Sequence, residues 1–189
     1  MRRHSEAEAV WLRRVATGDL TGGEIATLRE LLWAAFADVD GGMTEDDWAH
    51  AIGGVHVLLE RGGRLVGHAS VVERELHADG RQLRTGYVEA VGVDSRFQRM
   101  GFGSRLMAEV GSYVAERFEL GALATGTPEF YERQGWLRWT GPTYVRTATG
   151  QVRTPEDDGG ILVLPTPTSP PSLDRSASIS CGWRPGDVW

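Results

Sequence analysis

The sequence contains no lysine: apart from histidine, all 20 of its basic residues are arginine. That absence excludes a lysine Schiff base and the phosphate-gripping lysine of a Walker-type loop. Cys181 is the only cysteine, so no internal disulfide is possible. The five histidines (His4, His50, His56, His68, His77) are scattered. No Cys/His cluster has zinc-ligand spacing, and no metal site is expected. No apolar run approaches the roughly 20 residues of a membrane span, so no membrane partner is expected. The polar start from Met1 to Glu8 lacks the apolar stretch of a signal peptide, and a cytoplasmic location is expected. Acidic residues outnumber basic ones, 26 to 20, for a formal net charge of −6. Nucleic acid would want a basic face, so no nucleic-acid partner is expected, and a cationic small molecule is the more natural ligand.

What is present suits one globular domain, 10–189, behind a flexible tail, 1–9. Val10 to Val15 reads as a strand. Thr21 to Phe36 reads as a helix, with Ile25, Leu28, Leu31, Leu32 and Phe36 at helical spacing and Thr21 and Glu24 as a capping box. A loop over 38–42 follows, and Thr44 caps a short helix through Asp47, Trp48 and His50. Strands are expected over 55–60, 64–76 and 81–93, joined by Gly62-Gly63 and Asp79-Gly80 turns. A polar loop, 94–100, leads to a helix over 103–117. A strand over 121–125, a helix over 128–134 closed by Gly135, and strands over 136–139 and 161–164 complete the pattern. The order predicts an α/β (α+β) domain with a mixed central sheet flanked by helices. Pro165 to Ser178 has the composition of a linker. Two tryptophans in the last seven residues, Trp183 and Trp189, instead predict a terminus docked on the domain.

Three places carry chemistry. In Gln98-Arg99-Met100-Gly101-Phe102-Gly103, between a strand and a helix, Gly101 and Gly103 permit unusual backbone angles and a close ligand approach. The helix N-terminus then offers N–H groups to a pyrophosphate without any lysine. Read blandly, this is a loop with an ordinary N-cap. Tyr131, in Phe130-Tyr131-Glu132-Arg133-Gln134-Gly135-Trp136, can protonate a departing thiolate or be a half-buried helix tyrosine. Glu89 is an acid in an apolar strand, costly unless it faces a polar cavity, where it can serve as a base.

The first two segments resemble the acetyl-CoA-binding motif and the tyrosine-helix pattern of the GNAT superfamily. Resemblance to one family in it, the aminoglycoside 2′-N-acetyltransferases, spans about Thr27 to Trp189. It rests on Thr44-Glu45-Asp46-Asp47-Trp48-Ala49-His50, Gly86-Tyr87-Val88-Glu89, Gly135-Trp136, Gly141-Pro142-Thr143, Arg153-Thr154-Pro155-Glu156-Asp157-Asp158-Gly159 and, most specifically, Trp183-Arg184-Pro185-Gly186-Asp187-Val188-Trp189. The resemblance implies the GNAT acyl-CoA N-acyltransferase fold, acetyl-CoA as cosubstrate with no metal, a homodimer, and resistance to aminoglycosides as the cellular result. It implies that Val91, Val93, Gln98, Arg99, Met100, Gly101, Phe102 and Gly103 hold acetyl-CoA, on a strand that splays from its neighbour at a bulge. It implies that Asp47, Asp157, Asp187, Glu89 and the Trp189 carboxylate meet the ammonium groups of the drug, with Asp38 and Asp40 competing for one further role. A direct transfer is implied, in which Glu89 or the Trp189 carboxylate takes the amine proton through water, Val91 N–H faces the thioester oxygen, and Tyr131 protonates the sulfur. A serine of that family has no clear counterpart; Ala124 or Thr125 stands near it. The rival readings are a GNAT enzyme for another cationic amine and a non-catalytic acetyl-CoA-binding module.

Overall fold

The computed structural model describes residues 9–39 and 41–189. Residues 1–8 of the expected tail, and Asp40, lie outside the described residues. The chain forms two compact units, each from separate stretches of sequence: residues up to 72 with 88–110, and residues 73–87 with 111–189.

The first unit opens with β1 (Val10–Ala16) and α1 (Gly22–Ala35), then α2 (Glu45–Ala51), β2 (Val55–Arg61) and the start of β3 (Arg64–Ala78). The end of β4 (Arg81–Val93) and the beginning of α3 (Phe102–Arg117) complete it. Strands β1, β2 and β3 form an antiparallel meander, with pairs from Val10↔Arg61 to Ala16↔Val55 and from Val55↔Val71 to Arg61↔Arg64. Both short-range signals before the helices produce capping boxes. The Thr21 hydroxyl accepts from Glu24 N while Glu24 accepts from Thr21 N at 2.8 Å, and Thr44 and Asp47 repeat the arrangement on α2. Two orphan N–H groups are thereby satisfied at each helix start. The apolar stripe of α1 delivers Leu28 and Leu32 to a core shared with Leu20, Trp48 and Leu58.

The second unit contains β5 (Leu120–Ala124), α4 (Pro128–Glu132), β6 (Leu137–Arg138), β7 (Thr143–Thr147), β8 (Gly150–Arg153), β9 (Ile161–Pro165) and β10 (Ile179–Gly182). Its strands lie in the order β6-β9-β5-β4-β3-β10-β7-β8. The sheet is mixed: β4 and β5 are parallel, as are β10 and β7, whereas β10 and β3 are antiparallel. The parallel register of β4 with β5 ends at Tyr87↔Ala122. Among the described residues no helix is long and apolar enough to cross a membrane.

Three features differ from the sequence-based expectation. Helix α4 stops at Glu132, because Gln134 N and Gly135 N turn back to Tyr131 O and Glu132 O, at 2.8 and 3.0 Å, and Gly135 adopts φ +88°. A hairpin, β7–β8, occupies residues where no strands are expected. The linker-like stretch before β10 is held by distant backbone: Thr140 N and Gly141 N donate to Arg175 O, and the Trp139 indole donates to Ala177 O at 2.8 Å. Gly141 is required there, since a Cβ would sit 1.8 Å from Ala177 O.

Candidate functional site

In the first unit, the loop from β4 to α3 is built from its own short-range bonds. Asp94 accepts from Arg96 N and Arg96 Nε, both at 3.0 Å, and the Arg96 guanidinium foremost holds its carboxyl below the usual range. Gln98 Nε2 donates to Val93 O at 3.3 Å. The Phe97 and Phe102 rings stand 6.3 Å apart and brace the loop, with Phe102 buried. On that base the backbone twists twice: Arg99 has φ +61° and Gly101 φ +80°. Gly101 O accepts from Arg105 N at 3.1 Å, so the glycine caps α3 with no side chain over the helix end. A Cβ added at Gly101 would meet nothing within 4 Å. Its glycine is thus demanded by backbone conformation alone, and the space above the helix N-terminus is open, the setting for a bound anion. Met100 and Arg99 are exposed in the same loop, where Arg61 Nη1 reaches Met100 Sδ at 3.9 Å.

Upstream, Glu89, Val91 and Val93 are half-buried on β4. Between the first two, Ala90 adopts φ +50°, which breaks the regular pleat. Ser70 Oγ donates to Glu89 O at 3.3 Å. Asp38 is exposed in the turn after α1. Asp47 is committed to the N-terminus of α2: its Oδ2 accepts from Thr44 N at 2.8 Å and from Thr44 Oγ1 at 2.7 Å.

In the second unit, Tyr131 lies half-buried on α4, edge-on to Phe130 with ring centroids 4.8 Å apart. Burial pushes its phenol up to about 12, so it keeps its proton throughout the neutral range. The two neighbouring acids at the turn after β8 differ sharply. Asp158 is bound by Arg153 and by Thr143 N (3.1 Å), and Arg153 above all draws its carboxyl down to about 2. Asp157 is raised instead, first by burial and also by the charges of Asp187, Glu156 and Asp158, against a hydrogen bond from Thr154. Asp158 is therefore a structural acid, and Asp157 is an acid short of positive charge.

The C-terminal segment is anchored beside that turn. Trp189 is only 2% exposed, and its indole N–H donates to Thr154 Oγ1 at 3.1 Å. Thr154 in turn donates to Thr143 Oγ1 at 2.9 Å. Arg184 Nη2 donates to Trp189 O at 2.9 Å, and Asp187 Oδ1 accepts from Trp189 N at 3.3 Å. Asp157, Asp187 and Trp189 are thus brought together. Trp183, expected to help anchor the segment, is 63% exposed, because β10 ends at Gly182 and only the Trp183 backbone N–H is held, by Arg146 O. Near α4, Thr125 accepts a hydrogen bond from Thr127 N on its hydroxyl at 3.0 Å.

Residues 18–138 match the family model described as "Acetyltransferase (GNAT) domain". Across 94% of this chain and 91% of the relative, the sequence is 39% identical to an aminoglycoside 2′-N-acetyltransferase of Mycolicibacterium fortuitum. The chain belongs to the GNAT acetyltransferase family, and within it to the family of that relative. Solved structures share the fold. A GNAT family acetyltransferase of Brucella melitensis, in complex with acetyl-CoA, has a TM-score of 0.60 at 16% identity, over 88% of this chain and 94% of that one. A GNAT family N-acetyltransferase of Escherichia coli, in complex with CoA, has a TM-score of 0.60 at 14% identity, over 93% and 91%.

In this acetyltransferase several residues that order these segments have no motif in the sequence. Arg74, on β3, donates to Gly182 O (3.1 Å) and Val188 O (2.9 Å) and lies 4.6 Å over the Tyr87 ring. Arg184 approaches the same ring at 5.6 Å. Arginines are frequent in the chain, so only the fold distinguishes these two. The left-handed Ala90 is equally silent in sequence, because alanine gives no sign of positive φ.

Proposed function

We propose that this acetyltransferase moves the acetyl group of acetyl-CoA to the 2′-amine of aminoglycoside antibiotics, and so confers resistance to them. The observation that carries the reading is the 39% identity over 94% of the chain to an aminoglycoside 2′-N-acetyltransferase. The chain's acidic balance, −6 overall, suits a polycationic substrate. A homodimer and a cytoplasmic location belong to the same reading.

Acetyl-CoA, when bound, supplies an activated acetyl thioester. The open, glycine-capped N-terminus of α3 fits its pyrophosphate, and Gln98 to Gly103 hold it there. Val91 and Val93 bind by their backbone, and Val91 N–H lies toward the oxygen on which charge grows. Glu89 or the carboxyl group of Trp189 receives the proton of the amine. Tyr131 offers its hydroxyl to the departing sulfur. Its phenol sits near 12, and a thiol sits near 8.5, so complete proton transfer would be uphill by about 5 kcal/mol. Tyr131 thus acts mainly by donating a hydrogen bond as charge gathers on sulfur. Asp157, raised by burial and by Asp187, gains most from an ammonium partner. Asp187, Asp47 and Asp38 complete the acidic set for the drug.

The test is thiol release from acetyl-CoA with a panel of amines, followed by NMR of the product. Tobramycin and gentamicin, which carry a 2′-amine, are expected to be acetylated at that nitrogen. Kanamycin A and amikacin carry a 2′-hydroxyl and are expected to be left alone at that position. Acetylation only at a 6′-amine, or turnover of polyamines alone, would overturn the reading. Acetyl-CoA binding without thiol release for any amine would point to a binding module.

A further inference from the structure

A chain of buried polar side chains crosses the meander of the first unit and ends on the kink in β4. His68 and Ser70 on β3 and His56 on β2 are fully buried on neighbouring strands, with His56 paired to Ser70. His68 Nδ1 lies 2.8 Å from Ala90 O. A carbonyl only accepts, so Nδ1 carries the proton and Nε2 is left as an acceptor. His56 Nδ1, 2.8 Å away, must then donate to it. That leaves His56 Nε2 to accept from Thr17 Oγ1, also at 2.8 Å, a shorter contact than the same hydroxyl's other acceptor, Gly54 O, at 3.2 Å. Thr17 Oγ1 accepts from Gly53 N at 2.9 Å. The bonds therefore run in one direction, from Gly53 through Thr17, His56 and His68 to Ala90 O, and each ring has one tautomer.

Aliphatic side chains would fill these buried positions with no polar group to satisfy, so the polar chain needs a reason. Ala90 supplies one. Its φ of +50° lies in the left-handed region, which an alanine enters only with strain. A residue with positive φ inside a strand turns its two neighbours out of the regular pleat. Here two successive carbonyls of β4 are held by side chains of β3, Glu89 O by Ser70 and Ala90 O by His68. Ala90 separates Glu89 from Val91, so its conformation sets the direction of the Glu89 side chain and of Val91 N–H.

We propose that His68, backed by His56 and Thr17, is a positioning residue that fixes the Ala90 kink and thereby aims Glu89 and Val91 for acetyl transfer. The inference rests on the proposed function for the roles of those two groups. His68→Leu removes the donor. His68→Gln keeps a polar group where Nε2 stood but none where Nδ1 stood, and serves if the leucine variant does not fold. His68→Asn places an N–H near the lost Nδ1 and is the rescuing variant.

The full-length chain, labelled with ¹³C at alanine, gives the first readout, the Ala90 Cβ resonance, which reports the sign of φ. It is expected to move toward the extended value in His68→Leu and His68→Gln and to stay in His68→Asn. In steady-state kinetics kcat is expected to fall about 10-fold or more in the first two, as for a small misplacement of reacting groups. The KM for acetyl-CoA should change by less than about 3-fold. His68→Asn is expected to retain most of kcat. An unmoved Ala90 resonance in His68→Leu or His68→Gln overturns the proposal, as does an equal loss of kcat in all three variants. If the unchanged chain acetylates no amine, the proposed function fails. The Ala90 resonance then still decides whether His68 holds the kink.

Discussion

At the scale of residues, the fold displaces the ionisation of two groups assigned to the proposed chemistry, Tyr131 and Asp157. Tyr131 is held protonated far above neutrality by burial. Tyr131→Phe keeps the ring against Phe130 and removes only the donor. The expected outcome is a fall in kcat of about 10²-fold, as for the loss of one hydrogen-bond donor to charge that grows in the transition state. The loss should shrink with a thioester whose leaving thiol is more acidic, measured with a series of acyl thioesters. Wild-type turnover in the variant would show that the departing sulfur needs no hydrogen bond from Tyr131. The glycine loop and the helix of Tyr131 can be placed from the sequence because turn residues and spacing mark them, and Glu89 stands out as an acid in an apolar strand. The contrast between Asp157 and Asp158 cannot be read there, since adjacent aspartates look alike until Arg153 and Thr143 choose one. His56 and His68 looked like two scattered histidines, because their 2.8 Å contact depends on the register of β2 with β3.

At the scale of elements, local signals were the readable ones. Both capping boxes and the long strands of the meander follow from neighbours within four residues or from alternation along a strand. The hairpin β7–β8 was not readable, because Gly150–Arg153 is short and almost wholly exposed and has no buried face to pattern. The stretch before β10 misleads by composition, since its order comes from Arg138, Thr140 and Gly141 some 35 residues away. The C-terminal element divides into two jobs that substitutions can separate. Trp189→Ala removes a buried indole and is expected to cost about 3–5 kcal/mol, read as a lower Tm. Asp187→Asn leaves the packing and removes one charge beside Asp157. It is expected to raise the KM for aminoglycoside several-fold, about the worth of one charged contact, with acetyl-CoA affinity by calorimetry unchanged. Added residues after Trp189 should act like Asp187→Asn. Equal aminoglycoside kcat/KM in all three chains would make the segment a structural anchor alone.

For the whole molecule, a mixed sheet flanked by helices was expected and is present, while the division into two units of interleaved sequence was not. The buried histidines also give the molecule a predictable acid limit. Burial lowers His56 to about 4, and burial with the neighbouring His56 lowers His68 to about 3. Both folded values lie below the ordinary one near 6.5, so the unfolded chain takes up protons first as pH falls. Stability from this source is complete above about pH 6.5 and is lost progressively below it. At pH 5 each ring is expected to cost about 2 kcal/mol. Urea unfolding from pH 7 to 4.5 should show this slope, and the double variant His56→Leu/His68→Leu should flatten it. Parallel slopes for the two chains would place the acid sensitivity elsewhere.

Strand β10 has an implication for how the chain is made. It lies between β3 and β7, so β7 and β8 reach the rest of their sheet only through it. A ribosome delivers β3 and β7 long before Ile179–Gly182. Through that interval the growing chain carries two strand edges with no partner, the kind of surface that recruits other chains. The second unit therefore closes only once Ile179–Gly182 has been made. Premature stops anywhere before Ile179 leave an open sheet for the cell's quality control to meet.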